Sequence, residues 1–125
     1  MGYIDDIEEK TLQNSSFRKV LYTGTHMQLV VMSLKSGEDI GEEVHDHVDQ
    51  FFRIESGEGK VVMDGVESDV KDDMVFIVPA GVKHNVINTS SDVDLKLYTI
   101  YSPPNHPDGT EHVTREEAME AEEDH

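Results

Sequence analysis

Between residues 17 and 102 short runs of β-branched and aromatic residues alternate with turn signals at a spacing of roughly 8–12 residues. No stretch in that span sustains a helical period. The runs cover 17–22, 27–34, 50–55, 60–63, 66–70, 74–78, 83–88 and 95–101. Between them stand Ser36-Gly37, Ser56-Gly57-Glu58-Gly59, Asp64-Gly65 and Pro79-Ala80-Gly81, where glycine's tolerance of positive φ lets the chain reverse. Many short antiparallel strands joined in this way predict an all-β sandwich or closed barrel. With 125 residues, 36% of them hydrophobic, the expectation is a single domain (1–125) with one modest core at about 17–102.

The ends read differently. Residues 1–14 are polar and acidic, and are expected to add an edge strand or to be partly mobile. The loop from Ser102 through Pro103, Pro104 and Pro107 is too proline-rich for a central strand. Thr114 followed by Glu117 is a capping-box pattern, which predicts a short acidic helix over 115–123 within the 103–125 tail.

Charge and composition exclude several functions. The formal net charge is −17 and no basic cluster exists, so binding to nucleic-acid phosphates or an anionic membrane surface is not expected. The longest apolar runs fall far short of the ~20 residues that span a bilayer. The acidic N-terminus lacks the basic and apolar regions of a signal peptide, so a soluble cytoplasmic protein is expected. There is no cysteine, which removes disulfides, thiolate nucleophiles and sulfur ligation. A metal would need His, carboxylate or amide ligands.

Two segments carry such residues. The first runs from Gly37 to Gly57 and holds Glu43, His45, His47 and Gln50; the second holds Asp73, Pro79, Gly81, His84 and Asn88. Residues i and i+2 of a strand share a face about 6.7 Å apart, the relationship of Glu43 to His45. If the strands line a barrel, Glu43, His45, Gln50 and His84 can point inward to one place. That nitrogen and oxygen donor set suits a divalent Fe, Mn, Ni, Co or Zn ion.

The two segments resemble the paired motifs of the cupin superfamily, over about residues 27–102. The second motif is matched at Pro79, Gly81, His84 and Asn88, with Asp73 in place of its leading glycine. The first aligns without gaps, with Glu43 and His45 in its two histidine places, Gln50 in its glutamate place, and Gly37 and Gly57 at its ends. The resemblance implies a double-stranded β-helix (a jelly-roll barrel), a divalent ion on Glu43, His45, Gln50 and His84, and a homodimer. Moving the carboxylate from one position to the other leaves the ligand charge at −1. A rival register takes His45 and His47 as the histidine pair, but leaves one residue too few before Gln50. His47 is then a rim or substrate-contact residue.

Other residues have plainer readings. His26, His106, His112 and His125 are expected to be structural or surface residues, and Asn88 to cap a turn. One of Phe51 and Phe52 should be core, as should whichever of Tyr98 and Tyr101 points inward. Arg53 should form a surface ion pair. The 103–114 loop, with His106, Asp108 and His112, is a candidate lid over the barrel mouth.

Two functions compete. One is a small metal-dependent enzyme acting on a small oxygenated metabolite, isomerase-like or dioxygenase-like; similar single-domain cupins carry names taken from mannose-6-phosphate isomerase. The other is a non-catalytic module that binds or senses a small molecule, with a weak or empty metal site, since Gln50 cannot act as a general base. Seven acids lie between Gly37 and Gly57 against one Arg53, which is expected to favour a cation near the site and to oppose an anionic substrate.

Overall fold

The computed structural model describes residues 2–123. It contains α1 (Ile7–Gln13), β1 (Arg18–Thr23), β2 (Gln28–Leu34), β3 (Asp49–Ser56), β4 (Glu58–Met63), β5 (Val66–Lys71), β6 (Val75–Val78), β7 (His84–Asn88), β8 (Leu95–Ser102), β9 (Glu111–His112) and α2 (Arg115–Glu123). The strands form two antiparallel sheets, one in the order β6-β3-β8-β2-β1-β9 and one in the order β5-β4-β7. This is the expected jelly-roll barrel with a short C-terminal helix. All eight expected runs became strands.

The period-2 pattern works as it should: β8 alternates buried and half-buried residues along its length. Leu95 and Leu97 from β8, Phe52 and Ile54 from β3, Val30, Met32 and Leu34 from β2, and Val61 and Val86 from the smaller sheet fill the space between the sheets. Toward one end the inward row turns polar. Gln50 stands opposite Tyr101, and Tyr101 opposite Gln28, so one rung across β3, β8 and β2 is made of buried polar side chains. His84 occupies the first inward place of β7, opposite Met63. The barrel thus has an oily body and a polar mouth.

Turn chemistry explains the reversals. Asp64 and Gly65 both have positive φ (48° and 81°), the conformation of the tight two-residue hairpin between β4 and β5. Asp73 has φ 72°, so the second motif's glycine position still requires left-handed backbone, which a short Asp side chain tolerates. The segment between β2 and β3 runs beside β7 without becoming a regular strand. Bridges tie Asp39 to Ile87 and Glu43 to His84, the latter with reciprocal 2.9 Å bonds between Glu43 and His84 main chains.

The N-terminus corrects one expectation: residues 7–13 form a helix, not an edge strand. Asp6 caps it, its carboxylate accepting from Glu9 N at 3.1 Å, and Glu8 and Glu9 sit in the first turn where the helix dipole favours them. Thr11 is fully buried and anchors the helix. At the other end, Thr114 accepts from Glu117 N (3.2 Å) as the capping box requires. Glu117 reaches back to Val113 N (2.7 Å), one residue before the cap. The 103–114 loop also contributes β9, which pairs with β1. The expectation for His125 falls outside the described residues.

Candidate functional site

His84 is 2% exposed on β7, and its Nδ1 lies 3.1 Å from the Val82 carbonyl. A carbonyl can only accept, so Nδ1 carries the proton. Burial lowers the imidazole's pKa, against the backbone bond and Glu43, and the neutral ring therefore presents a lone pair at Nε2. That Nε2 is buried and has no hydrogen-bond partner.

Gln50 is fixed by a similar chain of logic. Thr99 spends its hydroxyl proton on Phe51 O (2.8 Å), so its oxygen accepts from Gln50 Nε2 at 3.0 Å. The amide is thereby oriented, and Gln50 Oε1 is left buried without a partner. An unmet buried acceptor costs about 1–3 kcal/mol, so two from neighbouring rows need an explanation.

Glu43 and His45 project from the bridged segment beside β7. His45 Nε2 lies 3.0 Å from Glu43 Oε2, so the imidazole and the carboxylate face each other directly. The His45 ring stands 5.6 Å from the His84 ring and 5.9 Å from the Tyr101 ring. Burial works to raise the Glu43 pKa, but His45 and Arg18 overcome it and hold the carboxylate ionised below its usual range.

Arg18, which the sequence reading did not single out, points into this cluster from β1. Its side chain is 1% exposed, with Nη2 4.0 Å from Glu43 Oε1 and Nη1 3.5 Å from His112 Nδ1. Its parity with Val20, a core residue of the same strand, was the available signal.

The 103–114 loop forms the opposite wall, as the lid expectation allowed. Gln28 pins it: Oε1 accepts from the Asn105 and His106 main chain at 3.1 and 2.9 Å, and Nε2 donates to His106 O at 2.7 Å. His106 Nε2 comes to 3.2 Å from the Tyr101 hydroxyl. Burial, reinforced by the Arg18 charge, pushes the His106 pKa down to about 3, so the ring is neutral. Burial raises the Tyr101 phenol to about 12 and keeps it protonated. Between loop and barrel lies a cavity of about 470 Å³, lined by Arg18, Glu43, His45, Asn105, His106 and His112 among others. That volume is in the range of small-molecule sites.

The structure brings Glu43, His45 and His84 together, and Gln50 stands on the neighbouring rung opposite Tyr101, whose ring is 5.9 Å from that of His45. It leaves His47 and His26 exposed, while Asp108 lies outside the cavity wall. Asn88 is a turn clamp, donating to Leu34 O and Val93 O at 3.0 and 2.9 Å and accepting from Ser90 N at 2.9 Å. Phe52 is core, Tyr101 is inward, and Arg53 pairs on the surface with Glu55 and Asp73 at 2.9 and 3.1 Å. The acidic surplus around the first motif does not face the site. Asp39 pairs with Arg115 (2.8 Å), Glu42 with Lys83 (3.3 Å), and Asp49 accepts from Ala80 N (2.9 Å), leaving Glu43 as the acid in the cavity wall.

Among the described residues no group of three or more His, Cys, Asp and Glu side chains is arranged to hold a metal ion unaided. A donor set here depends on the Gln50 amide and shares Glu43 with Arg18. Its chemistry, two imidazole nitrogens, a carboxylate and an amide oxygen, with His84 Nε2 and Gln50 Oε1 unpartnered, still fits a borderline divalent ion.

Comparison with known proteins agrees with this architecture. The family model described as "Cupin domain" matches residues 30–101. The chain is 50% identical to Bacillus subtilis YrkC over 126 residues, covering 96% of this chain and 67% of that one. It is 44% identical to protein L612 of Acanthamoeba polyphaga mimivirus over 117 residues, covering 90% and 72%. The crystal structure of BH2720 from Bacillus halodurans superposes with a TM-score of 0.93 at 45% identity, covering 96% of this chain and 95% of that one. With the barrel, both motifs and these relatives in agreement, the chain belongs to the cupin family.

Proposed function

We propose that this cupin binds one divalent ion through His45, His84, Gln50 and Glu43, and a small oxygenated molecule in the cavity beside it. The observation that supports this reading is the pair of buried acceptor atoms with no hydrogen-bond partner, His84 Nε2 and Gln50 Oε1, with the His45–Glu43 pair beside His84. When bound, the ion supplies Lewis-acid or redox chemistry to a ligand oxygen, as an isomerase-like or dioxygenase-like activity requires. The chain's own residues do the rest. Val82 fixes the His84 tautomer, Thr99 fixes the Gln50 amide, and the pinned 105–112 wall limits water. Tyr101, held protonated, and neutral His106 supply a hydrogen-bonding edge near the ligand.

A second reading is a metal-free binding module, and one observation favours it. Arg18 places a fixed guanidinium 4.0 Å from Glu43, so the carboxylate already has a counter-charge. Elemental analysis separates the two readings. Protein purified without chelator and incubated in turn with Mn, Fe, Co, Ni and Zn salts should retain near one equivalent of at least one of them. His84→Ala should lose it. Folded wild-type protein that retains none supports the module.

The same proposal includes a cytoplasmic homodimer. No helix of the described residues is long and apolar enough to cross a membrane. The outer face of the larger sheet carries a row of Ile77, Phe51, Ile100 and Leu29 in register, with Ile77 57% exposed, a surface suited to a second copy.

A further inference from the structure

Arg18 is a buried cation whose donors are only partly met. Its Nε is shielded from solvent and has no partner; its Cζ lies 5.4 Å from the Phe17 ring centroid, and the guanidinium meets the Tyr101 side chain, His112 at 3.5 Å and Glu43 at 4.0 Å. A guanidinium offers five donors in a planar fork, and leaving them unmet inside a protein is costly. Yet this one forms part of the wall of the roughly 470 Å³ cavity. Among the described residues it is the one Lys or Arg side chain in that wall, and Glu43 is the one acid. Asp39, Glu42 and Asp49 of the first motif are turned to partners outside it. His106 in the same wall is neutral.

We infer that Arg18 is the anchor for the carboxylate of a small organic acid that occupies this cavity. The fork of one guanidinium matches one planar carboxylate, which it can grip through two parallel bonds. A phosphate ester carries close to two charges and fits poorly against one cation with an ionised Glu43 beside it. Asn105 and Thr110 in the facing wall offer polar groups for the rest of such an acid, and the cavity volume sets its size at a few carbons. Despite a net charge of −17, the chain therefore presents a locally anion-selective mouth. A bound divalent ion strengthens it, because it leaves the cavity net positive.

This inference rests on the cavity being the ligand site of the proposed function, but not on the ion. The test is calorimetric binding of a panel of short acids (pyruvate, lactate, malonate and succinate) to metal-free and to metal-loaded protein. The neutral amides of the same acids and inorganic phosphate serve as controls. At least one acid should bind, with its amide at least about tenfold weaker, the loss expected for a charge-assisted hydrogen bond. Arg18→Lys, which keeps the charge but loses the fork, should weaken the acid roughly tenfold or more while leaving amide binding unchanged. Circular dichroism confirms that the variant is folded; if it is not, the acid-to-amide ratio of the wild type decides alone. Equal binding of acids and amides, tighter binding of phosphate, or no binding of any acid overturns the inference. A protein that binds an acid but retains no metal upholds Arg18 and overturns the ion. One that retains an equivalent of metal but binds no acid does the reverse.

Discussion

Thr99 decides which way Gln50 faces. The threonine hydroxyl donates to Phe51 O at 2.8 Å, which leaves its oxygen to accept from Gln50 Nε2 at 3.0 Å and leaves the buried amide oxygen without a partner. Thr99→Val keeps the shape of the side chain but removes the acceptor, so the amide is free to rotate. Outer-shell partners of ligands are worth about 10–100-fold in metal affinity. Titration of the variant with Co(II) should show a loss of at least tenfold with the fold intact; unchanged affinity means that the amide orientation does not matter.

Gln50→Glu moves a second carboxylate into the mouth. Without an ion, a buried charge beside ionised Glu43 is penalised, so the metal-free variant should melt lower than wild type. With an ion, the added charge strengthens ligation, and the thermal gain on adding metal should exceed the wild-type gain. Equal gains count against Gln50 as a ligand.

Neutral His106 makes stability depend on acid. Its pKa falls from 6.5 to about 3 on folding, chiefly through burial, so between those values the unfolded chain binds the extra proton. The contribution is therefore complete above pH 6.5 and lost as pH falls toward 3, at up to about 1.4 kcal/mol per pH unit. Glu43, depressed below its usual value, acts in the same direction at lower pH. Urea midpoints should fall from pH 7 to pH 5, and His106→Gln should flatten that fall; a variant as acid-sensitive as wild type contradicts the assignment.

Asp73 sits at φ 72°, where the related motif carries glycine. Asp73→Gly should be neutral or stabilising by about 0.5–1 kcal/mol, and Asp73→Val destabilising by about 1–3 kcal/mol, in urea unfolding. Its ion pair with Arg53 is exposed and contributes little.

The dimer has a direct check. Ile77 is the exposed end of the apolar row, on the edge strand β6, and Ile77→Asp should convert a dimer to monomer in light scattering without altering metal retention. A wild-type monomer removes the assembly from the proposal.

Much of this was legible in the chain, for identifiable reasons. Strands and turns write themselves into two-residue periodicity and into Asp64-Gly65, and Thr114 with Glu117 marked α2. The capping signal of α1 is equally local, since Asp6 precedes Glu8 and Glu9, but the composition of residues 1–14 points only to an edge strand or a partly mobile segment. The motif spacing singled out Glu43, His45 and His84, which the fold brings side by side, and Gln50, which it buries on the adjacent rung. Arg18 escaped notice because a cation near a strand's start reads as surface, and only its parity with Val20 argues otherwise. The wall of His106 and His112 depends on Gln28, 78 residues from His106, and no local pattern encodes such a bond. The first motif's acids misled because sequence proximity does not say which way they turn.

The central claim is one ion on four named side chains. Anomalous diffraction from crystals grown with the retained metal tests it most directly. The account predicts a single peak bounded by His45 Nε2, His84 Nε2, Gln50 Oε1 and Glu43, with His47 away from it. A peak that involves His47 instead, or no peak with Arg18 and Glu43 closed into a direct pair, contradicts it.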